Sequence, residues 1–160
     1  ARTGVSNFFR NLVDVTSMLN SLLQLAPTKF FQNTGRVLVN TTVGIFGLVD
    51  VATKMKIPRP VEDFGQTLGH WGVGQGPYLV LPFLGPSNLR DSAGLLPDFY
   101  VASVASDAVF SSEVTLGAFL VYPINARANN PFRYYQNGSA FEYEMVRWLS
   151  STKRKLDVNE

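Results

Sequence analysis

The sequence predicts an all-α fold: a single domain of amphipathic helices, interrupted by one non-helical loop rich in glycine and aromatic residues. A chain of 160 residues can bury one hydrophobic core, so we expect residues 1–160 to form one domain. Apolar residues recur at spacings of three and four, and no segment alternates convincingly between apolar and polar residues. Hydrophobic residues make up 46% and charged residues 16%, which leaves little charge to solvate the outside.

The first predicted helix covers about residues 6–25 and has one apolar face. Its other face is polar but nearly uncharged, since Arg10 and Asp14 are its only charges. Pro27 interrupts the pattern, and a second helical run begins at about Thr28. The apolar positions of the first helix are Val5, Phe8, Phe9, Leu12, Val15, Leu19, Leu22 and Leu23.

Residues 37–51 form the most hydrophobic window of the chain. A helix needs about 20 consecutive apolar residues to cross a bilayer, and this window is shorter. Asn40 and Asp50 interrupt it, as do Gly44 and Gly47, whose small size allows close helix packing. We therefore expect a buried or half-inserted helix here and no transmembrane span.

A glycine-aromatic segment at residues 63–78 carries five glycines among bulky aromatic residues. Glycine reaches backbone conformations closed to other residues, so this density predicts close backbone approach or a hinge. Residues 78–86 then carry no charge, and three prolines oppose a regular helix or a central strand, although residues 79–81 could pair briefly. An apolar, non-helical loop of this kind normally needs protein, lipid or a ligand to cover it.

The rest of the chain is predicted to be helical in pieces. Ser87 is the expected N-cap of a short helix that ends near Gly94. Residues 98–128 then indicate two or three helical pieces, interrupted by Gly117 and Pro123.

Beyond these pieces, the sequence predicts two more helices. Asn130-Pro131 indicates the start of one, which Asn137-Gly138 breaks. Ser139 and Glu142 form a capping box for the last helix. We interpret Lys153-Arg154-Lys155 near its end as cations favoured by the helix dipole.

The residue inventory limits the chemistry. No cysteine is present, which excludes disulfides and thiolate metal sites, and the net charge of +2 is too scattered for a nucleic-acid footprint. His70 is the only histidine, so any catalytic triad or histidine metal site must include it. We expect a structural His70, no metal, no cofactor and no catalysis. Glu62-Asp63 is expected to be a solvated turn or a helix N-cap rather than acid-base machinery.

Three blocks of residues occur in a recognisable order. They are Ser6-Asn7-Phe8-Phe9 with Asn11-Leu12, then Asn40-Thr41-Thr42-x-Gly44-x-x-Gly47-x-x-Asp50-Val51-Ala52, and a longer block that begins Asp63-Phe64-Gly65-Gln66-Thr67-Leu68-Gly69 and continues through Gly72-Val73-Gly74-x-Gly76-Pro77-Tyr78, Leu81-Pro82, Gly85-Pro86-Ser87 and Arg90-Asp91. Together they resemble the VacJ/MlaA family of outer-membrane lipoproteins over about residues 4–100. From Tyr100 onward the likeness is loose.

The resemblance implies a helical ring around an amphipathic channel, on the periplasmic side of the outer membrane of a Gram-negative bacterium. Such proteins sit with a trimeric porin and remove phospholipid mislocalised in the outer leaflet. They pass it to a soluble periplasmic carrier, which maintains lipid asymmetry. Two alternatives remain open: a lipid-acting hydrolase that uses His70 and a nearby serine, or a porin-associated scaffold without transport. The lipoprotein signal and acylated cysteine of the family are not among residues 1–160, so we expect a processed or trimmed chain.

Particular residues are expected to carry this lipid-handling role. The loop is expected to be a hinge that controls the lipid path, with Arg90 either a candidate for the headgroup or half of an internal pair with Asp91. The hinge residues are Gly69, Gly72, Gly74, Gly76 and Pro77, and the expected lipid contacts are Phe8, Phe9, Phe46, Leu79, Leu81 and Phe83.

Overall fold

Seven helices and one β-hairpin make up residues 2–129 and 141–159, the part of the chain that the computed structural model describes. The mainly helical class is thereby confirmed, while the ring-like arrangement around a channel stays a prediction. In chain order the elements are α1 (Arg2–Leu23), α2 (Pro27–Thr42), α3 (Val51–Lys54), α4 (Phe64–His70), β1 (Tyr78–Leu81), β2 (Gly85–Asn88), α5 (Leu89–Asp107), α6 (Ser112–Asn129) and α7 (Glu142–Asn159).

The first helix, α1, turns its polar face toward the interior. Asp14, Ser17 and Ser21 lie three and four residues apart on that face and are fully buried. Leu19 and Leu22, on the apolar face, are exposed. The amphipathic pattern is therefore present as predicted, but over most of the helix the polar side is the one that packs.

The second helix ends earlier than the apolar window predicted. Pro27 occupies its first turn, where a missing amide proton costs nothing, and the helix stops at Thr42. Phe46 has a φ of 54° and Gly47 a φ of 86° in the turns that follow, so the expected helix over residues 43–49 is wrong. The chain folds back on itself there, so a Cβ at Gly44 would collide with the backbone oxygens of Asn40 and Val49, and a Cβ at Gly47 would collide with Asn11 of α1. Within the described residues no helix combines the length and apolar character that a bilayer crossing requires.

The glycine-aromatic segment is partly helical. Asp63 caps α4 by accepting a hydrogen bond from the Gln66 amide at 2.8 Å, so the predicted N-cap is confirmed. The loop begins only after this helix, which corrects the expectation that Gly69 belongs to it. A Cβ at Gly94 would lie 2.5 Å from the Gly65 nitrogen, so these two glycines let α4 and α5 cross in close contact.

The apolar segment after the loop forms a short hairpin. β1 pairs antiparallel with β2, with Val80 opposite Pro86 and Leu81 opposite Gly85. A two-stranded ladder has only edge strands, which tolerate proline, so the prolines limit the hairpin's length without preventing it. The brief pairing left open for residues 79–81 is thus confirmed.

The fifth and sixth helices run through residues that predicted breaks. Asn88, not Ser87, is the N-cap of α5, accepting from the Asp91 amide at 2.9 Å. α5 then continues for 19 residues through Pro97, and α6 for 18 residues through Pro123. The predicted short helix and the predicted interruptions of α6 are therefore wrong.

The last helix is confirmed as α7, which runs to Asn159, beyond the basic triplet. The expected helix at Asn130-Pro131, its break at Asn137-Gly138 and the cap at Ser139 lie outside the described residues.

Burial is inverted relative to an ordinary water-exposed domain. Five apolar and eighteen polar or charged side chains are buried among the described residues, so polar groups dominate the packed interior. Large apolar side chains lie on the outside instead, among them Phe31 at 69%, Leu96 at 74% and Trp148 at 65% exposure. The small apolar core combines Phe9, Leu12 and Ala102 with aromatic residues of α6.

Candidate functional site

A cavity of about 220 Å³ opens between α1, α5, α6 and the segment before α4. Its walls are mainly apolar and include a chain of aromatic contacts. The rings of Phe9 and Tyr122 lie 5.5 Å apart, those of Phe99 and Tyr122 also 5.5 Å, and those of Phe99 and Phe119 6.0 Å. Three carboxylates also line it, those of Glu62, Asp63 and Asp98. The cavity is therefore amphipathic.

Asp98 is the carboxylate in this cavity that is held by neutral donors. Its Oδ1 accepts from Asn20 Nδ2 at 2.8 Å, and its Oδ2 accepts from the Phe64 amide at 2.9 Å. Burial raises the pKa of Asp98 to about 6, with the nearby Asp63 charge adding to the effect. Burial and the Asp98 charge also raise the pKa of Tyr122. The site thus contains a carboxyl that titrates near neutral pH.

Arg154 joins α7 to the edge of the cavity. Its Nη1 and Nη2 each donate to Asp63 at 2.8 Å, and its Nε donates to Asp91 at 2.6 Å. Burial would raise the pKa of Asp91, but the hydrogen bonds and charge of Arg154 outweigh it and lower that pKa. Carboxylates of α5 and of the α4 cap hold Arg154, so the interpretation of the basic triplet as cations favoured by the helix dipole is wrong for this residue.

A second charged cluster holds α1, α2 and α3 together. Arg36 is 1% exposed and donates to Asp14 at 3.0 Å and to Asp50 at 3.1 Å. Arg59 donates to the other oxygen of Asp14 at 2.6 Å. Hydrogen bonds from Thr53 and the charge of Arg36 outweigh partial burial and lower the pKa of Asp50. No sequence pattern brings these residues together, although Asp14 on a nearly uncharged polar face was a signal for a buried charge.

The expected hinge residues occupy two different settings. Gly69 lies in α4, where a Cβ would come within 2.5 Å of Arg90 Nη1, so this glycine serves close packing. Gly72 and Gly76 have positive φ angles of 89° and 68°, and a Cβ at Gly72 or Gly74 would meet no atom within 4 Å. Pro77 accepts a hydrogen bond from the Leu89 amide at 3.0 Å, which ties the end of the loop to α5. The hinge itself stays a prediction.

The expected lipid contacts divide between the interior and the surface. Phe9 lines the cavity, and the ring of Phe8 packs against the ring of Phe9, with the two centroids 5.5 Å apart. Phe46 and Phe83 are exposed on turns, and Leu79 and Leu81 are half-buried in β1. Phe8 and Phe46 line another cavity, of about 180 Å³, where both rings pack on Phe110 at 5.5 and 6.1 Å. The structure therefore places Phe9 at the amphipathic cavity, Phe8 and Phe46 together beside it, and Leu79, Leu81 and Phe83 elsewhere.

The other polar residues considered as site candidates are Arg90, Glu62 and His70. Arg90 is buried and its Nη2 lies 2.8 Å from Asp91 Oδ1, which supports the internal-pair interpretation over headgroup contact. Glu62 is buried and paired with Lys29 at 2.8 Å, so the expectation of a solvated Glu62 is wrong. His70 is exposed at the end of α4. Residues 2–129 and 141–159 contain no cluster of three or more His, Cys, Asp or Glu side chains that could hold a metal ion.

Comparison with known proteins decides the family. Residues 1–157 match the MlaA lipoprotein family. The chain belongs to the MlaA lipoprotein family. This confirms the resemblance found in the sequence and extends it beyond residue 100, into the region where the likeness was loose.

Two individual relatives show how far the similarity extends. It is 44% identical over 105 residues to the intermembrane phospholipid transport system lipoprotein MlaA of Escherichia coli K12, covering 62% of this chain and 41% of that protein. It is 38% identical over 159 residues to an uncharacterized protein of Rickettsia felis, covering 96% of this chain and 62% of the relative. The chain therefore spans about two fifths to three fifths of these curated relatives.

A solved structure has the same fold. It comes from work described as the structural basis for maintenance of bacterial outer membrane lipid asymmetry. The two chains superpose with a TM-score of 0.72 and 33% identity, over 99% of this chain and 80% of that one.

Proposed function

We propose that this member of the MlaA family is a non-catalytic phospholipid-transport component of a Gram-negative outer membrane, positioned on its periplasmic side. It removes phospholipid mislocalised in the outer leaflet and passes it to a soluble periplasmic carrier, which maintains lipid asymmetry. A trimeric porin is its partner in the membrane. The transport role named for the Escherichia coli relative supports this assignment.

The inverted burial is the observation that carries the proposal. Exposed apolar surface costs roughly 25 cal/mol per Å² in water, and contiguous apolar patches usually mark contact surfaces. Here exposed leucine, phenylalanine and tryptophan side chains cover the outside, while hydrogen-bonded polar groups fill the inside. Acyl chains around the helices would remove the apolar cost, and the charged clusters would hold the helices together from within.

The cavity has the character and size of a passage for part of a lipid. Its volume of about 220 Å³ is below the roughly 300–1,000 Å³ of sites that enclose a drug-sized ligand. Apolar walls suit an acyl chain, and the carboxylate side suits a polar headgroup. A lipid therefore passes through in contact with the cavity instead of being enclosed, and loop residues 71–77 control access as a hinge.

The hydrolase alternative gains no support from the position of His70. Acyl hydrolysis by a histidine requires a nucleophile within hydrogen-bond reach and a group that orients the imidazole. In the described residues the His70 side chain makes no hydrogen bond or ion pair, and it is exposed at the end of α4. The amphipathic cavity favours transport over a purely structural scaffold.

The test is a cavity-filling variant in the full-length protein. Ala102→Phe adds a ring to a buried cavity wall, and Ala93→Phe adds the same ring at an exposed position of the same helix. Each is expressed in a strain that lacks its own family member, and outer-leaflet phospholipid is measured by its susceptibility to an added phospholipase.

We expect Ala102→Phe to leave phospholipid in the outer leaflet and Ala93→Phe to restore asymmetry, with both proteins equally abundant. Normal asymmetry with Ala102→Phe would favour the scaffold. Lysophospholipid produced by the purified wild-type protein would favour the hydrolase.

A further inference from the structure

Two cavities adjoin and share walls but differ in charge. The cavity described above, here the carboxylate cavity, shares Phe9, Val13 and Tyr122 with a second cavity of about 370 Å³. The second, here the arginine cavity, is lined by Arg10 and Arg59. Acidic residues therefore line one cavity and arginines line the adjoining one, with Phe9, Val13 and Tyr122 common to both.

In the described part of the chain, Asp98 is the carboxyl of this cavity that forms no ion pair. Glu62 is paired with Lys29 at 2.8 Å, and Asp63 is paired with Arg154 at 2.8 Å. Asp98 makes no ion pair within the described residues and is held by the neutral donors of Asn20 and Phe64. Rings of Phe9, Phe99 and Tyr122 line the same cavity. A carboxylate beside aromatic faces is a site for an ammonium group, which gains both ion pairing and cation–π contact.

Among residues 2–129 and 141–159, Arg10 is the arginine of the second cavity that no carboxylate balances. Arg36 and Arg59 are balanced by Asp14 and Asp50. Arg10 makes no ion pair among the described residues, and its backbone oxygen accepts from Arg59 Nη2 at 3.0 Å, which keeps the two arginines adjacent. Guanidinium groups bind phosphate oxygens through directed, charge-assisted hydrogen bonds.

We infer that the two cavities together form a site for a zwitterionic phospholipid headgroup, with its phosphate at Arg10 and Arg59 and its ammonium at Asp98. The inference rests on the proposed function and adds a substrate class to it: lipids with an amine in the headgroup are preferred over lipids with phosphate alone. Burial without a cation partner is also what raises the pKa of Asp98 to about 6, against the opposing charge of Arg154. A bound ammonium would lower that pKa again.

The test measures headgroup preference directly. Full-length protein in detergent is mixed with equal amounts of phosphatidylethanolamine and phosphatidylglycerol with identical acyl chains, and bound lipids are counted by native mass spectrometry. Wild-type protein should bind phosphatidylethanolamine about fivefold more, the scale of one cation–π contact. Asp98→Asn should abolish this preference, because it should weaken the binding of phosphatidylethanolamine alone. Arg10→Gln should weaken the binding of both lipids equally, because both contain phosphate.

Matched controls change the same residue types outside the cavities. Asp107→Asn lies at the exposed end of α5, and Arg147→Gln lies on α7 with half of its side chain exposed. Both should keep the wild-type preference. Circular dichroism establishes that each variant is folded, and Tyr122→Leu replaces Asp98→Asn if the latter does not fold. Tyr122→Leu should also reduce the preference for phosphatidylethanolamine, because it removes an aromatic ring that lines both cavities.

The outcomes separate this inference from the proposed function. Equal binding of the two lipids by wild-type protein, or an unchanged preference in folded Asp98→Asn or Tyr122→Leu, would overturn the inference alone. Absence of any lipid binding would overturn the proposed function as well. Soluble glycerophosphoethanolamine should compete weakly, since it lacks acyl chains, and competition equal to that of the lipid would overturn the assignment to a lipid.

Discussion

The ion pairs of Arg154 give the most quantitative prediction. Arg154→Met removes three charge-assisted hydrogen bonds. Within the described residues Asp63 is then left without a cation, while Asp91 keeps its pair with Arg90. Removing one partner of a buried pair typically costs 3–5 kcal/mol. Asp91 is 9% exposed but Asp63 is 34% exposed, so water offsets part of the loss. We expect a loss of about 3 kcal/mol in the free energy of unfolding.

Thermal unfolding in detergent, followed by circular dichroism at 222 nm, measures this loss. For a chain of this size about 3 kcal/mol corresponds to a fall of roughly 6–12 °C in Tm. Arg147→Met is the matched control on the same helix, because Arg147 is 53% exposed and makes only a 3.8 Å surface pair. Its expected effect is below about 0.5 kcal/mol. Arg154→Lys should fall between the two, since lysine keeps the charge but lacks the planar fork.

Equal Tm values for the Arg154→Met and Arg147→Met variants would refute this reasoning. It would mean that apolar packing alone holds α7 against α4 and α5, and that the observed ion pairs contribute nothing measurable.

Three further predictions concern pH, the loop and the histidine. The pKa of Asp98 is raised to about 6 in the folded state, so ionisation of this carboxyl destabilises the fold. Lowering the pH from 7 to 5 should therefore raise the Tm. The Asp107→Asn variant should keep this rise in Tm, and the Asp98→Asn variant should lose it. Below about pH 4 the Tm should fall, because Asp50 and Asp91 have lowered pKa values and their stabilisation is lost as they become protonated. Gly72→Ala should lower the free energy of unfolding by about 1 kcal/mol because of its positive φ, and Gly74→Ala should change it very little. Both variants should nevertheless alter outer-leaflet phospholipid, and unchanged asymmetry in both would show that the loop is not a hinge. His70→Ala should keep full transport in the complemented strain, and loss of function at normal abundance would indicate chemistry at His70.

Short-range patterns of apolar spacing and helix capping were enough to predict several helices from the sequence. The apolar spacing of residues 6–25 predicts α1, Asp63 predicts the cap of α4, and the pattern after residue 141 predicts α7. The order of the glycine and asparagine motifs was enough to indicate the family. These features depend on residues a few positions apart, which is the range over which a sequence pattern acts.

Tertiary contacts overrode local rules where elements cross. Gly94 predicts the end of a helix, yet α5 passes through it, because Gly94 packs directly on Gly65 of α4. In residues 43–49 the opposite occurs: an apolar run with helical character turns back, and Gly47, with a φ of 86°, packs so closely on Asn11 of α1 that a Cβ would lie 2.6 Å from it.

Only the tertiary structure decided which face of each helix is buried. An amphipathic pattern defines two faces, but the buried one depends on whether water or acyl chains surround the protein. Arg154 shows the same limit: its partners Asp63 and Asp91 are 91 and 63 residues away, and nothing in a basic triplet reveals them. The sequence by itself determined that the chain has apolar and polar helical faces. The packing of those faces placed the polar ones inside, where hydrogen bonds and ion pairs satisfy them.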